Sequence, residues 1–266
     1  MGAPGVKILI VADLHYSLPQ FDWVLQQAPS YDVVVIAGDL LEVASAVDPG
    51  TQIVVVSTYL RRLRQATRLL VCSGNHDLDA LNDDGEKHAG WLAAARRLAI
   101  HVDGDTVLID DVMITVCAWW DGPLTLKRIG EQLEAAAPDR IGRWIWVHHA
   151  PPSDSPVSWA GGRYYGDAAL SGWIVQHQPD FVFSGHVHEA PFARGGSWVD
   201  RIGKTWVFNA GRQIGEIPTA ISVETDAGEA AWFSLEGAEG VRLDLPLTRP
   251  IEQLTAMPEW MERRES

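Results

Sequence analysis

Three short apolar runs rich in β-branched residues, spaced by helix-patterned segments, most restrict what the first third of this chain can become. Residues 6–12 (VKILIVA), 32–37 (DVVVIA) and 69–72 (LLVC) read as strands. Residues 21–28 and 52–68 between them read as helices. The second helix ends in RRLRQATR, and cations suit the last turns of a helix. Strands alternating with helices predict βαβ units and an α/β fold. Further on, residues 88–98 read as another helix. Residues 106–109 and 112–118 read as two strands joined at Asp110-Asp111, in the manner of a hairpin. A helix over 124–137 stops before Pro138. Residues 143–149 (RWIWVHH) and 181–184 read as strands flanking a helix over 167–177. Three more strands follow at 205–209, 220–224 and 230–234.

No Ser/Gly/Pro-rich linker, repeat or low-complexity tract divides the chain. The expectation is therefore a single domain over residues 1–266, two sheets with helices outside. A polar, Pro-punctuated tail from about 246 to 266 wraps the surface. At 266 residues with 47% apolar and 21% charged residues, the chain can bury a full core without staples. Its two cysteines, Cys72 and Cys117, sit in apolar runs and read as buried strand residues. The opening MGAPGVKILIVADLH does not read as a signal peptide, and Val6 stands where a myristoylation motif needs Ser or Thr. With no apolar stretch near the ~20 residues of a membrane span, the reading is soluble and cytoplasmic. The net charge of −14 argues against sequence-independent binding of nucleic-acid backbones. Bound cations would offset part of it.

The chemistry lies in where the ionisable residues fall. Asp13 and His15 follow the first strand, Gly38-Asp39 the second, and Gly74-Asn75-His76-Asp77 the third. His148-His149 ends the strand RWIWVHH, and Gly185-His186-Val187-His188 follows FVFS. Each cluster lies just beyond the carboxyl end of an expected strand, the edge where open α/β sheets bind ligands. In extended chain, residues i and i+2 point to one side, so Asp13 and His15 can face one ion, as can His186 and His188. Asp39 has two carboxylate oxygens with which to bridge two ions, and Asn75 offers an amide oxygen. The glycines before Asp39, Asn75 and His186 permit close backbone approach.

Each cluster alone has a plainer reading. Asp13 is as well a turn residue or N-cap, Gly38-Asp39 is a common turn dipeptide, and a strand-end histidine is usually a hydrogen-bonded structural residue. Two histidines at i, i+2 after a strand are stronger evidence of a metal. Five such clusters in one order are not five independent turns.

As a set, D-x-H, G-D, G-N-H-D, H and G-H-x-H resemble the calcineurin-like metallophosphoesterase family, over residues 6 to 188. The resemblance implies a four-layer α/β/β/α sandwich, two mixed β-sheets flanked by helices. It implies Asp13, His15 and His188 on one metal, Asp39 as the bridge, and Asn75, His148 and His186 on the second. Of the histidine pair it favours His148, with His149 as the alternative. His76 would face the substrate as general acid for the leaving alkoxide, with Glu42 or Asp77 holding its tautomer. Asp77 could equally cap the segment that follows. In the protein-phosphatase branch the second motif runs G-D-x-x-D-R-G; here it is GDLLEV. Glu42 takes the acid's place and Val43 stands where an arginine would grip phosphate. That argues against a phosphoprotein phosphatase and for the smaller bacterial phosphodiesterase-type members.

The implied activity is metal-dependent hydrolysis of a small-molecule phosphodiester or phosphomonoester, a nucleotide among the candidates, by in-line attack of hydroxide. Two transition-metal ions would neutralise phosphate charge and supply that hydroxide near neutral pH. A donor set of imidazole and oxygen without thiolate suits Mn, Fe, Zn or Co. Arg163 and Arg212 are the candidate phosphate binders, and Tyr165, or Tyr164, the candidate stacking residue; a solvated loop is the competing reading of residues 158–170. Trp120 is a candidate pocket wall, although with 12 tryptophans in the chain core packing is the default for any one. Two other classes compete. A non-catalytic interaction module on this fold should have lost ligands, and none is missing. A nuclease subunit should carry a basic groove, whereas Arg61, Arg62, Arg64 and Arg68 have the spacing of a solvated helix face.

Overall fold

The computed structural model describes residues 5–255. In chain order these form β1 (Lys7–Val11), α1 (Leu18–Gln27), β2 (Val33–Ala37), α2 (Pro49–Ala66), β3 (Arg68–Cys72), β4 (Ala80–Leu81), β5 (Lys87–His88), α3 (Gly90–Ala93), β6 (His101–Val102), β7 (Thr106–Ile109), β8 (Val112–Val116), α4 (Pro123–Ala136), β9 (Arg143–Val147), α5 (Ala168–His177), β10 (Phe181–Ser184), β11 (Val199–Ile202), β12 (Thr205–Asn209), β13 (Ala220–Glu224), β14 (Glu229–Ser234), β15 (Gly237–Arg242) and β16 (Glu252–Gln253).

Two mixed sheets carry the fold. One has the order β16-β15-β14-β13-β1-β2-β3-β6 and the other β11-β12-β10-β9-β8-β7. β1, β2, β3 and β6 run parallel, as do β8, β9, β10 and β12. The period of two along β1 explains the layering. Ile8 and Ile10 point into the core shared by the sheets, opposite Ile114, Ile145, Phe181, Phe183 and Phe208. Leu9 and Val11 point the other way, against Phe21 and Val24 of α1 and Val56, Leu60 and Leu63 of α2. The far side of the second sheet, with Trp144, Trp146 and Val182, packs on Ile129 and Leu133 of α4 and Leu170 and Ile174 of α5. The result is the expected α/β/β/α layering. Each fully buried side chain of Leu or Phe size contributes about 1.5–3 kcal/mol.

Local chemistry sets the element ends. α2 begins where Asp48 accepts the Thr51 amide at 2.9 Å, with Pro49 following. It stops at Ala66, because Thr67 is extended and Arg68 already belongs to β3, not to the helix as expected. The helix expected over 88–98 is broken: His88 pairs with Ala80 in a small hairpin, α3 is one turn, and Ala94–Leu98 tightens to 3-10 geometry before left-handed Ala99. β8 and β9 end at Val116 and Val147, short of the residues that carry the chemistry. Of the tail, Leu247 and Ile251 pack on the inter-sheet core and Glu252–Gln253 extends the first sheet as an edge strand. The rest, residues 256–266, lies outside the described residues, as does the extreme amino end. Cys72 and Cys117 are buried and free. Among the described residues no helix is long and apolar enough to cross a membrane.

Candidate metal centre

Parallel strands deliver their carboxyl ends to one rim, and the loops there are laced together. The amides of Asp13, His15 and Tyr16 donate to the carbonyls of Gly38, Asp39 and Leu40 at 3.0, 2.9 and 2.9 Å. Asp77 Oδ1 accepts the Leu40 and Leu41 amides at 3.0 Å each, and its Oδ2 accepts that of Gly74 at 2.8 Å. Asp13, His15, Asp39 and His186 all hold positive φ, between 43° and 66°. That conformation is uncommon for residues with a side chain and concentrates at functional sites. Glycine is needed where the loops touch. A Cβ on Gly74 would overlap the Asp39 carboxylate, and one on Gly185 would overlap that of Asp13.

Three groups of potential ligands result, Asp13/His15/His188, His15/Asp39/His76 and Asp39/His149/His186, with donor atoms within 4.8 Å of one another in each. His188 Nε2 lies 3.1 Å from Asp13 Oδ1 and 3.2 Å from His15 Nε2. His149 Nε2 lies 3.2 Å from Asp39 Oδ2 and 3.8 Å from Asp13 Oδ1. Its other nitrogen is 2.7 Å from the Ala37 carbonyl, so Nδ1 carries the proton and donates there. His149 Nε2 thus faces a carboxylate, an arrangement that needs a positive charge between them, whether a proton on Nε2 or a bound cation. The electrostatics agree. Burial alone would lower the His149 pKa, yet Asp39 and Asp13 raise it to about 10. Burial would raise Asp13, yet His15, His188 and His149 drive it far below the usual range. His186, desolvated and beside His149, falls to about 4 and stays a neutral donor.

Asn75 Oδ1 and His149 Nε2 are both buried and unpartnered. Buried polar groups are normally satisfied, and these two are of the kind a cation accepts. The donor set fits a pair of borderline metal ions, with Asp39 shared between groups.

The position of His148 corrects the sequence reading. Although buried, it turns away from the cluster, with Nε2 3.3 Å from Asp167 Oδ2, while His149 occupies the position beside Asp39 and His186. The cause is parity: adjacent residues after β9 face opposite ways. The same parity turns Trp120 to core packing, the default reading, rather than to the pocket wall, and its indole N–H donates to Asp167 Oδ2 at 2.7 Å. Trp119 takes the pocket side instead, its ring 5.6 Å from that of His149 and 5.1 Å from that of His186.

His76 stacks edge-on against His15 at 4.5 Å, and its Nδ1 lies 3.4 Å from Glu42 Oε1. Glu42 Oε2 lies 3.2 Å from His15 Nδ1, so one carboxylate faces two imidazoles. Asp77 does not share that role. Both its oxygens are taken by loop amides, and burial plus the Asp39 charge push it up to about 8. Its function is to bind the loops together. Arg212 comes to the rim: its amide donates to the His188 carbonyl at 3.2 Å, and although burial raises Glu42, the Ala44 amide, His15, His76 and lastly the Arg212 charge hold it below its ordinary value. Arg163 and Tyr165 stay outside. Both are exposed and stack on each other at 4.0 Å, and among the described residues no hydrogen bond or ion pair ties either to the cluster.

The family model for calcineurin-like phosphoesterases matches residues 6–190. No curated protein matches the chain. Among solved structures, TT1561 of Thermus thermophilus shares the fold with a TM-score of 0.59 and 14% identity, over 90% of this chain and 99% of its own. A dimetal phosphatase from Danio rerio gives 0.53 and 12%, over 86% and 96%. A purple acid phosphatase from yellow lupin seeds gives 0.52 and 12%, over 95% of this chain and 54% of its own. The family match spans the five clusters that build the rim, and the chain belongs to the calcineurin-like phosphoesterase family.

Proposed function

We propose that the protein hydrolyses a small-molecule phosphoester with two transition-metal ions. Asp13, His15 and His188 hold one ion, and Asn75, His149 and His186 the other, with Asp39 between them. When bound, the ions supply charge neutralisation of the phosphate and a hydroxide nucleophile near neutral pH. The residues of the chain do the rest. Arg212 at the rim binds a phosphate oxygen. His76 protonates the leaving alkoxide, and Glu42 holds the His76 ring with its Nδ1 directed at the carboxylate, leaving Nε2 toward the substrate. Trp119 backs His149 and His186 and excludes water from that side.

The observation that carries this reading is the convergence of Asp39, His149 Nε2 and His186 at one rim with Asp13, His15 and His188. Val43 holds the place of the phosphate-gripping arginine of protein phosphatases. It is exposed at the mouth, its amide 3.4 Å from His76 Nδ1. That favours small diesters over phosphoprotein. The test is metal analysis followed by turnover of bis-nitrophenyl phosphate, nitrophenyl phosphate and cyclic nucleotides with Mn²⁺. The expected result is two metal equivalents and preferential diester cleavage. A protein that binds metal but turns over none of these esters would refute the hydrolase.

A further inference from the structure

Two doublets end neighbouring parallel strands. Trp119-Trp120 follows β8 and His148-His149 follows β9, the two strands paired up to Val116 and Val147. In each doublet one residue faces the metal rim and its neighbour faces the opposite side. The outward pair, Trp120 and His148, converges on a single carboxylate. Asp167 Oδ2 accepts the Trp120 indole N–H at 2.7 Å and lies 3.3 Å from His148 Nε2. Its Oδ1 caps α5 through the Ala169 and Leu170 amides at 2.7 and 3.2 Å. Its own backbone ties down the loop after the histidines, donating to Pro151 and accepting from Ser153. Asp167 is 6% exposed, and among the described residues its side chain makes no hydrogen bond or ion pair with Asp39, His149 or His186.

We propose that Asp167 is a positioning residue for the metal group of Asp39, His149 and His186. This rests on the metal-centre reading above. By holding His148 and Trp120 outward, it keeps His149 and Trp119 turned into the centre. A histidine doublet at a strand end is otherwise ambiguous, because a small rotation of the shared peptide exchanges which ring faces inward. The backbone is pinned on one side, where the His148 amide donates to Phe183 and the Gly185 amide donates to His149. Asp167 supplies the matching restraint on the side chains. The capping bonds alone would serve any helix; the bonds of Oδ2 serve no helix and reach only the two doublets.

The experiment separates these roles with Asp167→Ser, which keeps a good cap but cannot span to Trp120 and His148. Mn²⁺ binding is followed by equilibrium dialysis on the intact chain, without recourse to activity. The expected outcome is one Mn²⁺ equivalent weakened roughly tenfold, in the range found for partners behind metal ligands. The other equivalent stays at its wild-type affinity, and melting falls by only a few degrees. Asp167→Asn, whose single carboxamide oxygen can accept from the rings at the expense of the cap, recovers part of the loss. In a His148→Phe background the serine substitution adds little, since the two residues act as one unit. Wild-type affinities in Asp167→Ser, equal weakening of both equivalents, or full additivity with His148→Phe would each overturn the proposal. A wild-type chain that takes up no Mn²⁺ overturns the metal centre itself, and this inference with it.

Discussion

The two sides of the rim are built from similar residues but differ in their surroundings. On the Asp13/His15/His188 side, the His188 side chain is 31% exposed and His76 beside it 22%. On the Asp39/His149/His186 side, His149 is fully buried, Asp39 nearly so, and Trp119 closes the wall. His76, Glu42 and Arg212 gather on the more open side, where the proposed hydrolysis would admit substrate and leaving group. Buried His149 and Asp39 hold their charge in a poorly screened setting, where each electrostatic contact counts for more. Under the proposed hydrolysis, one side would chiefly retain metal and the other handle protons.

Asp39 belongs to both sides, so its loss should erase the contrast with the largest effect. Asp39→Ala is expected to release metal and lower kcat/KM by on the order of 10³-fold or more, several kcal/mol of charge stabilisation. Full metal occupancy in that variant would remove Asp39 from the bridge. Next comes the closed side. His149→Ala should lose one metal equivalent and about 10²-fold in rate, while His148→Ala should retain both equivalents. The reverse order would return the ligand role to His148. The open side predicts a selective effect. His76→Ala should slow esters with poor leaving groups by about 10²-fold and nitrophenyl esters much less, because a good leaving group needs no proton. Equal losses would sink the acid role.

The smallest expected effect sharpens the closed side from behind. Burial would raise Asp167, but His148 and Trp120 hold it down at about 2, below its ordinary 3.8. A carboxyl depressed in the fold stabilises at pH values above the unfolded pKa and loses that contribution as pH falls through the folded one. Asp167→Asn should thus be about 2 kcal/mol less stable than wild type at neutral pH. The gap should close between about pH 4 and pH 2, the window set by those two values, as measured by thermal unfolding. A gap independent of pH would mean the charge on Asp167 does not matter.

How far the sequence could be read follows from locality. The strands β1, β2 and β3 announce themselves through β-branched runs, and the ligand clusters through their place after those runs. β11 (VDRI) and β15 (GAEGVR) escape notice because charged residues and glycine disguise them, and only pairing to β12 and β14 makes them strands. The broken helix over 88–98 shows tertiary structure overriding propensity: its alanines and arginines favour a helix, but His88 is drawn into a hairpin. His149 against His148, and Trp119 against Trp120, turn on which of two neighbours faces the rim. That depends on where β8 and β9 stop, to the residue, and on Asp167 arriving from a later part of the chain. Asp167 itself shows in the sequence only as the start of a helix.

Asp13 and His188 touch although 175 positions separate them along the chain. On the ribosome, Asp13, His15 and Asp39 therefore emerge well before His188. In the proposed metal centre, an ion shared by Asp13 and His188 would clasp the beginning of the chain to its later part. Depriving the nascent protein of metal should thus affect how firmly finished molecules stay shut more than how their strands first assemble.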